Sequence, residues 1–288
     1  MLNLKKNLFL GEELSEKEMS FNFSKFHILP IPLEKTVSYG TGTSKAPEII
    51  INASNQLERN QNSPCDFGIY THDVFDCSLN FNSIFENLEN LIFDILKKDK
   101  IPVCIGGEHS LTFGVIKGFK KKFNNINEDF GIIQFDAHAD LRKKYNGSVN
   151  SHATVMYKIH KENIPIFQFG VRAQSDEEIK LREQFNINYK SIEDYRKNPN
   201  IRLPKNFPKN IYITFDSDCL DPSIMPATGT PVPNGLYYNE TFLILKKLIE
   251  DKEIIGIDYV EYAPIENFHA YDYVSANIIY DLMKLCLK

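Results

Sequence analysis

A chain of 288 residues that is 42% hydrophobic and 25% charged, with 14 glycines and 14 prolines, is neither collagen-like, low-complexity nor wholly disordered. It is long enough to bury a core without disulfide or metal staples. Its net charge of −5, with no long block of one sign, gives no support to a nucleic-acid or anionic-membrane surface. The five cysteines are scattered with no CxxC pair, and no apolar run approaches the roughly 20 residues of a membrane span. The start turns acidic before a signal-peptide core could form, so a cytoplasmic protein with reduced thiols and no membrane partner is expected.

In chain order, the first periodic segment is Ile84, Phe85, Leu88, Leu91, Ile92, Ile95 and Leu96, which predicts a helix capped by Asn82 or Ser83. Apolar runs at 101–105, 130–135, 210–215 and 253–260 are rich in Ile, Val, Phe and Tyr and predict buried strands. Each stops abruptly at a polar cluster: Gly106-Gly-Glu-His-Ser, Asp136-Ala-His-Ala-Asp, Asp216-Ser-Asp and Glu261. The Pro- and Asn-rich stretch 198–209 reads as an insertion loop, and Ile278, Ile279, Leu282, Met283 and Leu285 predict a last helix. Strands alternating with helices imply one α/β domain, 1–288, with a parallel sheet covered on both faces. Ligands bind such sheets beyond the carboxyl ends of the strands, where every one of these clusters falls.

In an extended chain, residues two apart point the same way about 6–7 Å from each other, so paired acids such as Asp216 and Asp218 could straddle two metal ions about 3.5–4 Å apart. Asp136 to Asp140 would span about 13 Å if straight, so that segment must curl off its strand. With His109 and His138 the candidate ligands are four carboxylates and two imidazoles, a set that favours hard-to-borderline divalent ions such as Mn²⁺. Taken singly, each has a plain alternative: Asp216 a helix cap, His109 a satisfied loop histidine, the glycine pair a tight turn. Together they resist it, because four packed carboxylates without a cation would repel severely.

The same residues carry a family resemblance. The clusters at 106–110, 136–140 and 216–222 resemble the three signatures of the ureohydrolase family, which includes arginase, agmatinase and formiminoglutamase, binuclear manganese enzymes. The likeness continues through Pro226-Ala-Thr-Gly-Thr-Pro231, Val260-Glu261 and Ser38-Tyr-Gly-Thr-Gly-Thr43, from about residue 28 to the C-terminus. It implies a three-layer αβα fold around a mostly parallel eight-stranded sheet, assembled as homo-trimers or hexamers. It also implies one manganese on His109, Asp136, Asp140 and Asp216 and another on Asp136, His138, Asp216 and Asp218, with Ni²⁺ or Co²⁺ as possible substitutes. His152 matches the family's proton-relay histidine, Glu261 the carboxylate that grips guanidinium, and Thr230 a pocket position. By residue type alone, His152 could equally be a satisfied loop histidine and Glu261 a partner for a nearby lysine.

The implied reaction is hydrolysis of a guanidino compound to an amine and urea. Two divalent ions make a hydroxide available near neutral pH. The two ions, four aspartates and hydroxide leave one net negative charge, and Glu261 adds another, which suits a small cationic substrate. Asp140 is the expected first proton carrier to the leaving amine, with His152 linking the site to solvent. Arginase reads its α-amino acid head with an acid after Gly-x-Arg and an asparagine after the Asp-Ala-His-x-Asp motif. Here those positions hold Ala173 and Arg142. Agmatine, yielding putrescine, is therefore the expected substrate, with aminopropylagmatine, guanidinobutyrate, arginine and formiminoglutamate as alternatives. A binuclear phosphoesterase would want cations where Glu261 stands, although Arg142 speaks for it. A catalytically silent assembly subunit would lack a ligand, and none is missing.

Overall fold

In the computed structural model, which describes residues 7–287, one sheet of eight parallel strands organises the chain. The strands are β1 Phe26–Ile31, β2 Ile69–Thr71, β3 Ile101–Gly106, β4 Phe130–Phe135, β5 Ile166–Phe169, β6 Asn188–Lys190, β7 Asn210–Asp216 and β8 Glu253–Val260. Their spatial order is β2-β1-β3-β8-β7-β4-β5-β6. The four runs read from sequence are thus β3, β8, β7 and β4, the four neighbours at the centre of the sheet. Burial on both faces explains why they read as largely apolar runs, interrupted at one level by Gln134, Thr214 and Asp258. The outer strands carry a weaker signal in sequence: β2 and β6 have three residues each, and β1 is interrupted by His27 and Pro30.

Helices cover both faces. On one side lie α1 Ala46–Ser54, α6 Ile192–Lys197, α7 Tyr238–Leu248 and α8 Ala270–Leu285; on the other lie α2 Phe81–Leu96, α3 Leu111–Ile126 and α4 Val155–Lys161. A further helix, α5 Asp176–Gln184, follows β5. The α2 cap is Asn80, whose Oδ1 accepts from Ser83 N at 3.1 Å, not Asn82 or Ser83. The helix starts a turn before the stripe read from sequence, at Phe81, which packs against the same core and onto Phe85. The last helix likewise starts at Ala270, eight residues before the apolar cluster that signalled it. Segment 198–209 has neither helix nor strand, yet Ile201 and Phe207 anchor it in the core. Among the described residues, no helix is long and apolar enough to cross a membrane, and all five cysteines are free.

Candidate active site

The loop leaving β3 passes so close to residue 33 that a Cβ on Gly107 would lie 2.0 Å from the Leu33 carbonyl oxygen. That close approach, not a turn conformation, is what requires glycine here. Glu108 follows, fully buried, and accepts from Lys35 N and Thr36 N at 2.5 Å each and from the hydroxyls of Thr36 and Ser110 at 2.9 and 2.5 Å. It clamps the 35–36 segment to the strand end and so delivers His109 in a defined position.

Beyond β4 the chain does curl. Asp140 takes the left-handed backbone region, φ 52°, and its carbonyl accepts from Met156 N and Tyr157 N at 3.1 and 3.2 Å. Beyond β7 the chain is not extended as the pairwise reading assumed. Ser217–Cys219 form a 3₁₀ turn capped by Asp216, whose Oδ1 accepts from Asp218 N at 2.8 Å. Asp216 is therefore both cap and site residue, since its other oxygen faces His109. Arg172 ties this turn down, donating to the carbonyls of Asp218, Val232 and Pro233 at 2.8, 2.7 and 3.0 Å.

The three strand ends bring all six predicted ligands together. His109 Nδ1 lies 3.2, 3.1 and 3.4 Å from carboxylate oxygens of Asp136, Asp140 and Asp216. His138 Nδ1 lies 2.8 Å from Asp218 and 3.6 Å from Asp136. His109, Asp136 and Asp216 each bring one ligand atom within 4.8 Å of the others, and so do Asp136, His138 and Asp218, with Asp136 common to both groups.

The electrostatics are those of an anion cluster short of positive charge. Burial pushes Asp140 up to about 7, aided by the charge of Asp136. Burial and the charges of Asp218 and Asp136 push Asp216 up as well. Burial opposes protonation of His138, but Asp218 and Asp136 overcome it and carry the imidazole up to about 12. His109 Nδ1 is buried and, despite three carboxylates within 3.4 Å, has no hydrogen-bond partner in a bonding direction. A nitrogen donor and carboxylates converging on one buried point fit divalent cations, which would satisfy both.

The remaining predicted residues line the cavity over this cluster. His152 stands in the 3₁₀ turn His152–Thr154, its Nδ1 3.2 Å from Thr36 Oγ1. The Thr36 hydroxyl donates to Glu108, so it accepts the Nδ1 proton and leaves Nε2 for exchange with the cavity. Burial holds His152 below the usual histidine range. Glu261, φ 61°, accepts from His109 N at 2.6 Å through Oε1, and burial pushes its carboxyl up to about 8. A cation against Glu261 would offset that cost. Thr230 lines the same cavity and the adjoining cleft of about 290 Å³, whose walls include Arg142, Tyr145, Ala173 and Glu178. Arg142 sits 3.6 Å from Glu178 and over the Tyr145 ring at 5.3 Å.

Comparison with known proteins agrees with this geometry. The model of the arginase family matches residues 24–284. The chain belongs to the arginase family. As a member of it, the enzyme is a ureohydrolase with two metal-ligand groups. Among its relatives, the N(1)-aminopropylagmatine ureohydrolase of Synechocystis sp. is 32% identical over 282 residues, 93% of this chain and 91% of the relative. The agmatinase of Bacillus cereus is 31% identical over 269 residues, 89% of this chain and 90% of the relative. The crystal structure of the agmatine ureohydrolase of Thermoplasma volcanium superposes with a TM-score of 0.80 over 96% of both chains at 24% identity, a likeness of fold.

Glu108 and Arg172 are two residues of this chain whose work the sequence does not disclose. Glu108 lies inside the first signature, but only the approach of residues 35–36 shows what it holds. Arg172 stands in the Gly-Val-Arg stretch, and its carbonyl partners come from loops 46 to 61 positions away.

Proposed function

We propose that this arginase-family enzyme hydrolyses agmatine to putrescine and urea. The observation that carries the reading is the pairing of an acid-lined cavity ending at Glu261 with a cleft in which Ala173 offers no acid to an α-ammonium group. In this reading His109, Asp136, Asp140 and Asp216 would hold one metal, and Asp136, His138, Asp216 and Asp218 the other. Manganese is the ion expected there. Two such ions, when bound, would lower the pKa of water towards neutrality and so supply the nucleophile.

The rest of the work falls to the chain's own groups. Glu261 has one oxygen committed to His109 N–H, and its Oε2 is left to receive guanidinium N–H groups. That contact orients the guanidinium carbon over the cluster. Collapse to urea needs a proton on the departing amine nitrogen, and the Asp140 carboxyl is placed to carry it. His152, with Nε2 free to exchange, resupplies protons from solvent. His152→Ala should therefore lower kcat by about 10²–10⁴-fold while metal content stays at the parent value. Turnover at the parent's rate across pH 7–9, measured by urea release, removes the relay from the mechanism.

A second substrate has its own support. The cleft of about 290 Å³ adjoins the cavity and shares Thr230 and His152 with it, which leaves room for an aminopropyl extension of the same guanidino chain. The Synechocystis relative carries that substrate in its name. Against arginine, discrimination should be clear, since a buried polar group without a partner costs about 1–3 kcal/mol. Arg142 could meet arginine's carboxylate, but it is already paired with Glu178. The expected kcat/KM for agmatine exceeds that for arginine by at least about tenfold, roughly 1.4 kcal/mol. Urea release with agmatine, aminopropylagmatine and arginine side by side decides among them. Equal or better use of arginine overturns the substrate assignment and leaves the family chemistry standing.

A further inference from the structure

A row of buried polar side chains crosses the middle of the sheet just below the site. Cys104, Asp258, Thr214, Gln134 and Gln168 stand in register on β3, β8, β7, β4 and β5, each 0% exposed. Both faces of a covered parallel sheet are ordinarily apolar, so four polar residues at one level, with the thiol of Cys104 at its end, call for a use.

Their hydrogen bonds supply it. Asp258 Oδ2 accepts from Thr112 Oγ1 and from the Tyr212 hydroxyl, each at 2.8 Å. Asp258 Oδ1 accepts from Thr214 Oγ1 at 2.6 Å. A threonine hydroxyl has one hydrogen, and Thr214 spends it on Asp258. What remains on Thr214 Oγ1 is lone pair, and His109 Nε2 lies 2.8 Å from it. The only bond that closes this contact is Nε2–H donating to Thr214. A neutral imidazole carrying its hydrogen on Nε2 has a bare Nδ1, and Nδ1 is the atom facing Asp136, Asp140 and Asp216. On the other flank Gln168 Nε2 donates to Gln134 Oε1 at 2.6 Å, and Gln134 Nε2 donates to Asp136 Oδ2 at 2.7 Å. The rung thus reaches a ligand of the site from each side, and Thr214 and Asp258 do so without lining the cavity.

We infer that Thr214, held by Asp258, is a positioning residue: it locks His109 in the tautomer whose unprotonated Nδ1 can bind a metal and thereby sets the affinity of the metal on the His109 side. The inference rests on the metal reading above. Partners of this kind behind a ligating histidine typically change metal affinity by 10–100-fold.

The test compares two substitutions that packing and hydrogen bonding rank in opposite order. Thr214→Val keeps the shape and loses the hydroxyl, whereas Thr214→Ser keeps the hydroxyl and loses the methyl. Each enzyme is loaded with Mn²⁺ and titrated with a competing chelator, and metal content is followed by elemental analysis. Thr214→Val should release one of its two equivalents at about 10–100-fold weaker affinity and keep the other, while Thr214→Ser holds both like the parent. If Thr214→Val does not fold, Thr214→Ala carries the same expectation. A Val variant as tight as the parent, or a Ser variant as weak as Val, overturns the inference while the metal reading stands. A parent enzyme that takes up no Mn²⁺ overturns both.

Discussion

Asp136→Ala is expected to leave the enzyme without either metal and to lower urea release by more than about 10⁴-fold, because forming the nucleophile depends on metals that take the pKa of water from 15.7 to near 7. The expectation follows from position. Asp136 is the one residue common to both groups of converging ligand atoms, with Oδ2 3.2 Å from His109 Nδ1 and Oδ1 3.6 Å from His138 Nδ1. Its carboxylate is also held in place, by Gln134 Nε2 on one oxygen and by His138 N at 2.6 Å on the other. Asp216→Ala should behave the same way if it bridges, with an added cost, since its Oδ1 caps the 3₁₀ turn that carries Asp218. Metal analysis of each purified variant decides the point, and thermal unfolding gives an independent reading. A ligand at 100 times its Kd stabilises the folded state by about 2.7 kcal/mol, so Mn²⁺ should raise the parent's Tm and leave that of Asp136→Ala unmoved. Two full equivalents of metal with parental activity would remove Asp136 from the centre.

Glu261→Gln is expected to retain both metals and lose about 10²–10³ in kcat/KM. The amide oxygen of glutamine can still accept from His109 N–H, so the neighbouring ligand keeps its place. The group then turned to the cavity is an NH₂, a donor facing the N–H donors of a guanidinium ion. Attraction and orientation fail together, so kcat should fall along with affinity. Unchanged kcat/KM on the best guanidino substrate, with metal content intact, would reduce Glu261 to an anchor for the His109 backbone. Because the substitution removes the charge and preserves the shape, loss of metal in this variant would count against the separation of roles and would show in the same elemental analysis.

The sequence by itself determined the centre of this protein. Five- to eight-residue runs rich in Ile, Val, Phe and Tyr announce strands buried on both faces, and the four runs that do so are β3, β4, β7 and β8. The polar clusters at their ends could be assigned to one edge because ligands in parallel sheets lie beyond the carboxyl ends of strands. The identity of all six converging side chains was legible for the same reason, as was the curl at Asp140, which follows from chain length alone.

Tertiary structure decided the rest. That β8 sits between β3 and β7, placing Glu261 beside His109, depends on which strands pair, and no local pattern records a crossover of that length. The short outer strands were invisible because three residues carry too little periodicity to stand out. The helix cap moved to Asn80, and the 3₁₀ turn at Ser217–Cys219 replaced an extended segment, because side-chain hydrogen bonds over two or three residues outweigh the apolar pattern there. Thr214 and Asp258 read as isolated polar residues in sequence, and Glu108 and Arg172 as members of motifs without a stated task. Each acquires its meaning from partners brought from elsewhere in the chain: Thr36 to Glu108 across 72 positions, His109 to Thr214 across 105, Thr112 to Asp258 across 146, Asp218 to Arg172 across 46. A buried polar group must find a partner, but which one it finds is settled only when the sheet closes around it.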